Sequence, residues 1–128
     1  MIADTTFLSD FLKERRRQID GPATAFLSEY RKLPFRTTII SAAEIAVLFK
    51  TSDAAFAWLA RWKIYPLTAG IGAAAADIDR ALKSTGERLG ENDNWIAGFA
   101  AFYREPLISH DKAFDRVPGI RRVVYERG

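Results

Sequence analysis

Apolar positions along this chain fall into two alternating patterns. Short runs that are apolar or β-branched throughout predict strands at residues 1–3, 37–40, 64–67, 106–109 and 122–125. Pro66 marks the third of these as a sheet edge, because proline cannot donate to a strand ladder. Between them, apolar residues recur at helical spacing. Phe7, Leu8, Phe11 and Leu12 form one such stripe. Gly21-Pro22 opens a second helix with Phe26, Leu27 and Tyr30, ending near Leu33-Pro34. Ser41 opens a third with Ile45, Val47, Leu48 and Phe49. Ser52-Asp53 caps a fourth that runs through Phe56, Trp58, Leu59 and Trp62. Residues 68–85 form an alanine-rich helix stopped by Gly86, and residues 92–104 carry Trp95, Ile96, Phe99 and Phe102 on one face. Strands alternating with helices predict a three-layer α/β/α sandwich around a central, mainly parallel sheet with right-handed crossovers. In such sheets ligands bind beyond the carboxyl ends of the strands.

Composition narrows the chemistry. A chain of 128 residues predicts a single domain over 1–128, and 48% hydrophobic with 27% charged residues is enough for a folded core. There is no cysteine, which excludes disulfides, thiolate zinc sites and a cysteine nucleophile, and which fits a reducing cytoplasm. His110 is the single histidine, so a Ser-His-Asp triad has one possible base. No apolar run has the length of a membrane span, and Asp4 interrupts any signal-like start. The expectation is a cytoplasmic protein with no membrane contact. Nineteen basic against sixteen acidic residues leave a net charge of +3, and the bases are mostly arginine. That balance permits contact with nucleic acid without establishing it.

Acidic residues cluster where such a sheet binds ligands. Asp4 follows the first predicted strand, Glu44 lies four residues past the second, Asp111 lies two past the fourth, and Asp93 opens a helix. Each has a plain structural role available. Asp4 and Asp111 suit helix caps, Ser41-Ala42-Ala43-Glu44 fits a capping box, and Asp93 suits a helix dipole. Together, however, four carboxylates at one sheet edge repel unless a cation joins them. With no histidine or cysteine among the four, that cation is a hard one, Mg²⁺ or Mn²⁺. The densest basic stretch, Lys13-Glu14-Arg15-Arg16-Arg17, reads either as a solvated helix end or as a phosphate- or partner-binding patch at Arg15, Arg16 and Arg17. Gly70-Ile71-Gly72 lacks the context of a dinucleotide fingerprint. The aromatic group of Phe49, Phe56, Trp58 and Trp62 reads as core, with a dimer face or partner groove as the alternative.

These motifs resemble the PIN-domain family. Ile2-Ala3-Asp4-Thr5-Thr6 is similar to its opening strand and acid, and Ile40-Ser41-Ala42-Ala43-Glu44 to its strand-to-helix glutamate. Asn92-Asp93-Asn94-Trp95-Ile96-Ala97 resembles its Asn-Asp-x-x-Ile-Ala helix start. The run Leu107-Ile108-Ser109-His110-Asp111-Lys112-Ala113-Phe114 resembles its final Thr-x-Asp-x-x-Phe element. The four follow in order across essentially the whole chain, in the register of the small bacterial VapC-type toxins. Ser109 replaces the usual threonine, and Thr6 a commoner serine or asparagine. Ala113 stands where many relatives carry a further acid.

The resemblance implies a metal-dependent endoribonuclease with Mg²⁺ or Mn²⁺ held by Asp4, Glu44, Asp93 and Asp111, supported by the Thr6 and Ser109 hydroxyls. It also implies an RNA substrate, a cognate antitoxin protein and a homodimer. The rival readings are a phosphatase or DNA nuclease using the same acids, and a non-catalytic module whose acids only cap helices.

Overall fold

A computed structural model describes residues 1–126. Five strands form one fully parallel sheet: β1 (Ile2–Ala3), β2 (Arg36–Thr38), β3 (Lys63–Tyr65), β4 (Leu107–Ile108) and β5 (Arg122–Val123). Their order is β3-β2-β1-β4-β5, so β3 is an edge, as Pro66 indicated. The helices are α1 (Thr5–Arg17), α2 (Pro22–Glu29), α3 (Ile39–Ala46), α4 (Ser52–Trp58), α5 (Ala69–Lys83) and α6 (Glu91–Tyr103), with 3-10 turns at Leu59–Arg61 and Lys112–Arg116. The connections β1-α1-α2-β2 and β2-α3-α4-β3 build outward from β1 in one direction. The connection through α5 and α6 then crosses back to place β4 on the other side of β1. The winding therefore reverses between β1 and β4, and the carboxyl ends of those two strands flank the crevice that this topology reserves for ligands.

Alternating strand residues feed two cores. Ala3 and Ile108 point into one with Phe7, Leu8, Phe11, Phe26, Ile45, Leu59 and Trp62. Ile2 and Leu107 point into the other with Ile71, Leu82, Ile96, Phe99 and Phe114. The first core is aromatic: the Phe7 ring meets Phe26, Trp62 and Tyr125 edge-on, the last at 4.8 Å between centroids. Trp58 packs on Phe11 and Phe49, so most of the predicted aromatic group is core, while Phe56 stays exposed.

Three local outcomes depart from the sequence pattern. The β-branched run at 37–40 does not stay a strand. The Thr38 hydroxyl accepts the Ser41 amide at 3.0 Å and caps α3, so Ile39 and Ile40 become its first turn and pack sideways onto the core. Tertiary burial overrides β propensity there. The strands are also shorter than their apolar runs, and the third begins one residue early, at Lys63. Finally, Gly21 offers α2 no side-chain cap. Glu14 of α1 supplies one, accepting the Ala23 and Thr24 amides at 2.9 and 2.8 Å from a buried position. The acid in the middle of the basic run is thus a capping group delivered by a neighbouring helix. At the end of α5 the expected glycine stop holds: Gly86, at φ 72°, lets its own amide reach the Lys83 carbonyl and the Glu87 amide reach that of Leu82.

Helices α5 and α6 approach closely at Gly98, where an added Cβ would stand 2.9 Å from the Ala75 Cβ and 3.2 Å from its backbone. Gly98→Ala is expected to cost about 1–3 kcal/mol through overpacking. Gly72, also in α5, has open space where a Cβ would go. Gly72→Ala is expected to stabilise by roughly 0.5–1 kcal/mol through helix propensity. Urea unfolding of both variants checks the opposite signs.

Candidate functional site

β1 ends at Asp4, which serves as the N-cap of α1 and accepts the Phe7 amide at 3.0 Å. It is 5% exposed, an unusual place for a carboxylate. β4 ends at Ser109, fully buried beside it. The Ser109 hydroxyl donates to Asp4 and accepts the Asp111 amide at 3.0 Å, so one side chain orients two acids. Asp111 in turn caps the following 3-10 turn through the Ala113 amide at 2.9 Å. The cap readings of Asp4 and Asp111 are therefore correct as far as they go.

Glu44 is different. Because Thr38 caps α3, Ser41 is not an N-cap and the capping-box reading fails. Glu44 lies a turn further along α3, and its carboxylate accepts the Thr5 hydroxyl of α1 at 2.8 Å, with the Ser41 hydroxyl 3.0 Å from the same oxygen of Thr5. Asp93 sits in the first turn of α6, half-buried, where the helix dipole favours a negative charge. All four acids thus face the carboxyl edge at the winding reversal.

Electrostatics ties them together. Burial first, with the charges of Asp93 and Asp111 adding to it, pushes the Asp4 carboxyl up to about 6, against hydrogen bonds from Ser109 and Phe7 that lower it. Asp93 is raised by burial first, then by Asp111 and Glu44. Among the described residues no three acidic or histidine side chains stand close enough to hold a metal ion as they are. The two facts agree, because charge repulsion acts over several ångströms whereas coordination needs roughly 2.0–2.6 Å. The donor set is carboxylate and hydroxyl oxygen, which fits a hard divalent cation and not a soft one. A fifth acid nearby, Asp115, is taken up by a two-pronged ion pair with Arg122, both contacts 2.9 Å. Arg122 also donates to the Ser109 carbonyl at 3.2 Å.

The supporting residues are only partly those the motifs suggested. Ser109 lies at the centre. Thr6 is exposed, and the hydroxyl that reaches Glu44 belongs to Thr5, its neighbour in the same motif. His110 packs its ring 4.1 Å from Tyr125, whose hydroxyl donates to Asp10 at 2.6 Å. Arg15, Arg16 and Arg17 occupy the far end of α1, on the order of 16–20 Å along the helix from Asp4. Arg15 pairs with Asp20, and Arg16 donates to the Leu48 carbonyl and covers the Phe49 ring. They do not belong to the acidic edge.

The raised Asp4 fixes a sign for pH dependence. The folded protein holds this proton more tightly than the unfolded chain, so its contribution to stability falls as pH rises from about 4 through about 6 and is level above. Asp4→Asn keeps a capping oxygen and removes the charge. In chelator-treated samples the variant is expected to gain stability relative to the parent across that window, by up to about 3 kcal/mol. Parallel stability curves between pH 4 and 7.5 would contradict the assignment.

Chains in three solved complexes are similar in structure to this one. VapBC2 from Rickettsia felis bound to a promoter DNA fragment matches with TM-score 0.80, 18% identity and 98% of each chain covered. VapBC-1 from nontypeable Haemophilus influenzae matches with TM-score 0.77, 23% identity and 96% of each chain. FitAcB from Neisseria gonorrhoeae matches with TM-score 0.75, 19% identity and 94% of each chain. Among curated proteins none matches. The family model for the PIN domain matches residues 1–120, nearly the whole of the described sheet and all its helices, and the chain accordingly belongs to the PIN-domain family.

Proposed function

We propose that this chain is a metal-dependent endoribonuclease, hydrolysing RNA phosphodiester bonds, and the toxin component of a type II toxin–antitoxin pair. The observation that supports the chemistry best is that the Asp4 and Asp93 carboxyls, on separate elements at the carboxyl edge of the sheet, are both raised by burial and, in smaller part, by the charges of neighbouring acids that include Asp111 and Glu44. Family membership adds the nuclease class, and the VapBC complexes among the structural relatives add the toxin role. Asp4, Glu44, Asp93 and Asp111 are the residues that would hold Mg²⁺ or Mn²⁺. When bound, such an ion supplies a Lewis acid that acidifies water and offsets charge on a phosphate.

The chain's own residues prepare that site. The Phe7 amide and Ser109 hydroxyl fix the Asp4 carboxylate, and Thr5 fixes that of Glu44. Burial keeps Asp4 poised to give up its proton near neutrality, so a cation and a proton compete for it. The Asp111 carboxylate, held by Ala113, stays exposed toward substrate and water. An antitoxin protein and a second copy of the chain complete the proposal, with the cytoplasm as the place of action. Among the described residues no helix is long and apolar enough to cross a membrane.

Asp93→Asn is expected to lower Mg²⁺- or Mn²⁺-dependent cleavage of a structured RNA by more than about 100-fold while leaving the circular dichroism unchanged. Thr5→Val is expected to cost about 10- to 100-fold through loss of Glu44 orientation. Parallel assays on DNA and a phosphomonoester separate the ribonuclease from other phosphoesterases. Full activity in Asp93→Asn, or cleavage indifferent to chelator, refutes the mechanism. Growth that continues when the wild-type chain is expressed alone refutes the toxin role.

A further inference from the structure

Ser109 is the residue from which the acidic edge is built, and each of its polar groups is engaged. Its hydroxyl serves Asp4 and the Asp111 amide. Its own amide donates to the Val123 carbonyl at 3.0 Å, continuing the pairing of β4 with β5. Its carbonyl meets no strand amide among the described residues, because β5 ends at Val123. Ser109 is fully buried, and a buried carbonyl needs a donor. The Arg122 side chain supplies it, with Nη1 at 3.2 Å.

Arg122 is itself held. Its Nε and Nη2 each donate to one oxygen of Asp115 at 2.9 Å. The planar fork meets a carboxylate along one edge and the carbonyl with its remaining nitrogen, which a single lysine ammonium cannot reproduce. Asp115 lies in the 3-10 turn that Asp111 caps. One guanidinium therefore joins both sides of the segment that carries Asp111: the Ser109 carbonyl before it and the Asp115 carboxylate after it. With its side chain 13% exposed and every nitrogen engaged, Arg122 is placed to hold main chain, not to grip a substrate.

A cation beside a site for cations has two effects of opposite sign. The hydrogen bond to Asp115 foremost, and the charges of Asp115 and then Asp111 in smaller part, push the Arg122 guanidinium up against the effect of burial. The charge of Asp111 thus reaches Arg122, and by the same reach the charge of Arg122 opposes a divalent ion at Asp111. The hydrogen bonds of Arg122 act the other way, by fixing the turn that presents this acid.

We propose that Arg122, braced by Asp115, is a positioning residue that holds Ser109 and Asp111 in the arrangement that receives a divalent cation. This rests on the reading of the four acids as a metal site.

The test is calorimetric titration of the chelator-stripped full chain with Mn²⁺, together with hydrogen exchange of the same samples without metal. Arg122→Met removes the donors and keeps the stem, and Arg122→Lys keeps the charge and loses the fork. If charge alone mattered, the first would bind Mn²⁺ more tightly and the second would be unchanged. Positioning predicts that both bind Mn²⁺ at least about tenfold more weakly than the parent. The Asp111 amide, bonded to the Ser109 hydroxyl, is expected to exchange at least about tenfold faster in both, with the amides of α5 unchanged. Asp115→Asn, at an exposed side chain, is expected to move both readouts in the same direction by a smaller factor. The proposal is overturned if Arg122→Met or Arg122→Lys binds Mn²⁺ as tightly as the parent, or if Asp111 exchange does not change. Should neither arginine variant fold, equal Mn²⁺ binding by Asp115→Asn and the parent overturns it. A parent chain that binds no Mn²⁺ removes the metal reading and this proposal together, whereas Mn²⁺ binding that parent and variants share leaves the metal reading standing and removes this proposal alone.

Discussion

The parallel pairing of β1 with β4 is the constraint on which the rest depends. It joins Ala3 to Ile108 across most of the chain, and the Asp4 amide continues it by donating to the Ile108 carbonyl at 3.2 Å. Closing so long a loop is entropically costly, and two short strands alone would not hold it. The two cores do, because residues 2 and 107 are buried on one face and residues 3 and 108 on the other. Where the two strands stop, Asp4 and Ser109 are left side by side, and the acidic edge begins from that contact.

Stability and chemistry pull in different directions at that edge. Asp4 and Asp111 do useful structural work as caps, yet Asp4 is buried against its own charge and crowded by two other acids. A purely structural design would place an asparagine or serine there, which caps as well without the repulsion. Carboxyls raised in this way, gathered at a topological switch point, are a physical mark by which functional sites are recognised. The family match and the shared fold of the VapBC chains are consistent with that physical picture, which stands on the residues themselves.

Much of this is legible in the sequence, for identifiable reasons. Helical periodicity was strong in α1, α5 and α6, and an acid directly after an apolar run is a local signal that survives folding. What escapes a linear reading is anything settled by a partner distant in the chain. The run at 37–40 reads as strand until Thr38 turns its hydroxyl to Ser41. Glu14 reads as one charge among basic neighbours until α2 brings two amides to it. Thr5 and Thr6 are indistinguishable by motif, and only the direction of the first turn of α1 decides which meets Glu44. Arg15 to Arg17 look available for RNA, but the length of α1 carries them away from the acids and two of them are occupied locally.

The contact between Tyr125 and the first helix has a temporal meaning. Its hydroxyl reaches Asp10 across 115 residues, and its ring fills the aromatic core beside Phe7. A chain emerging from the ribosome has neither β4 nor this ring to offer until synthesis of the described segment is almost finished. Its early portion must wait with apolar surface uncovered, open to chaperones or to premature association. The acidic edge is likewise assembled last, so a translation product that stops before β4 carries Asp4, Glu44 and Asp93 without Asp111 or the strand that completes that edge.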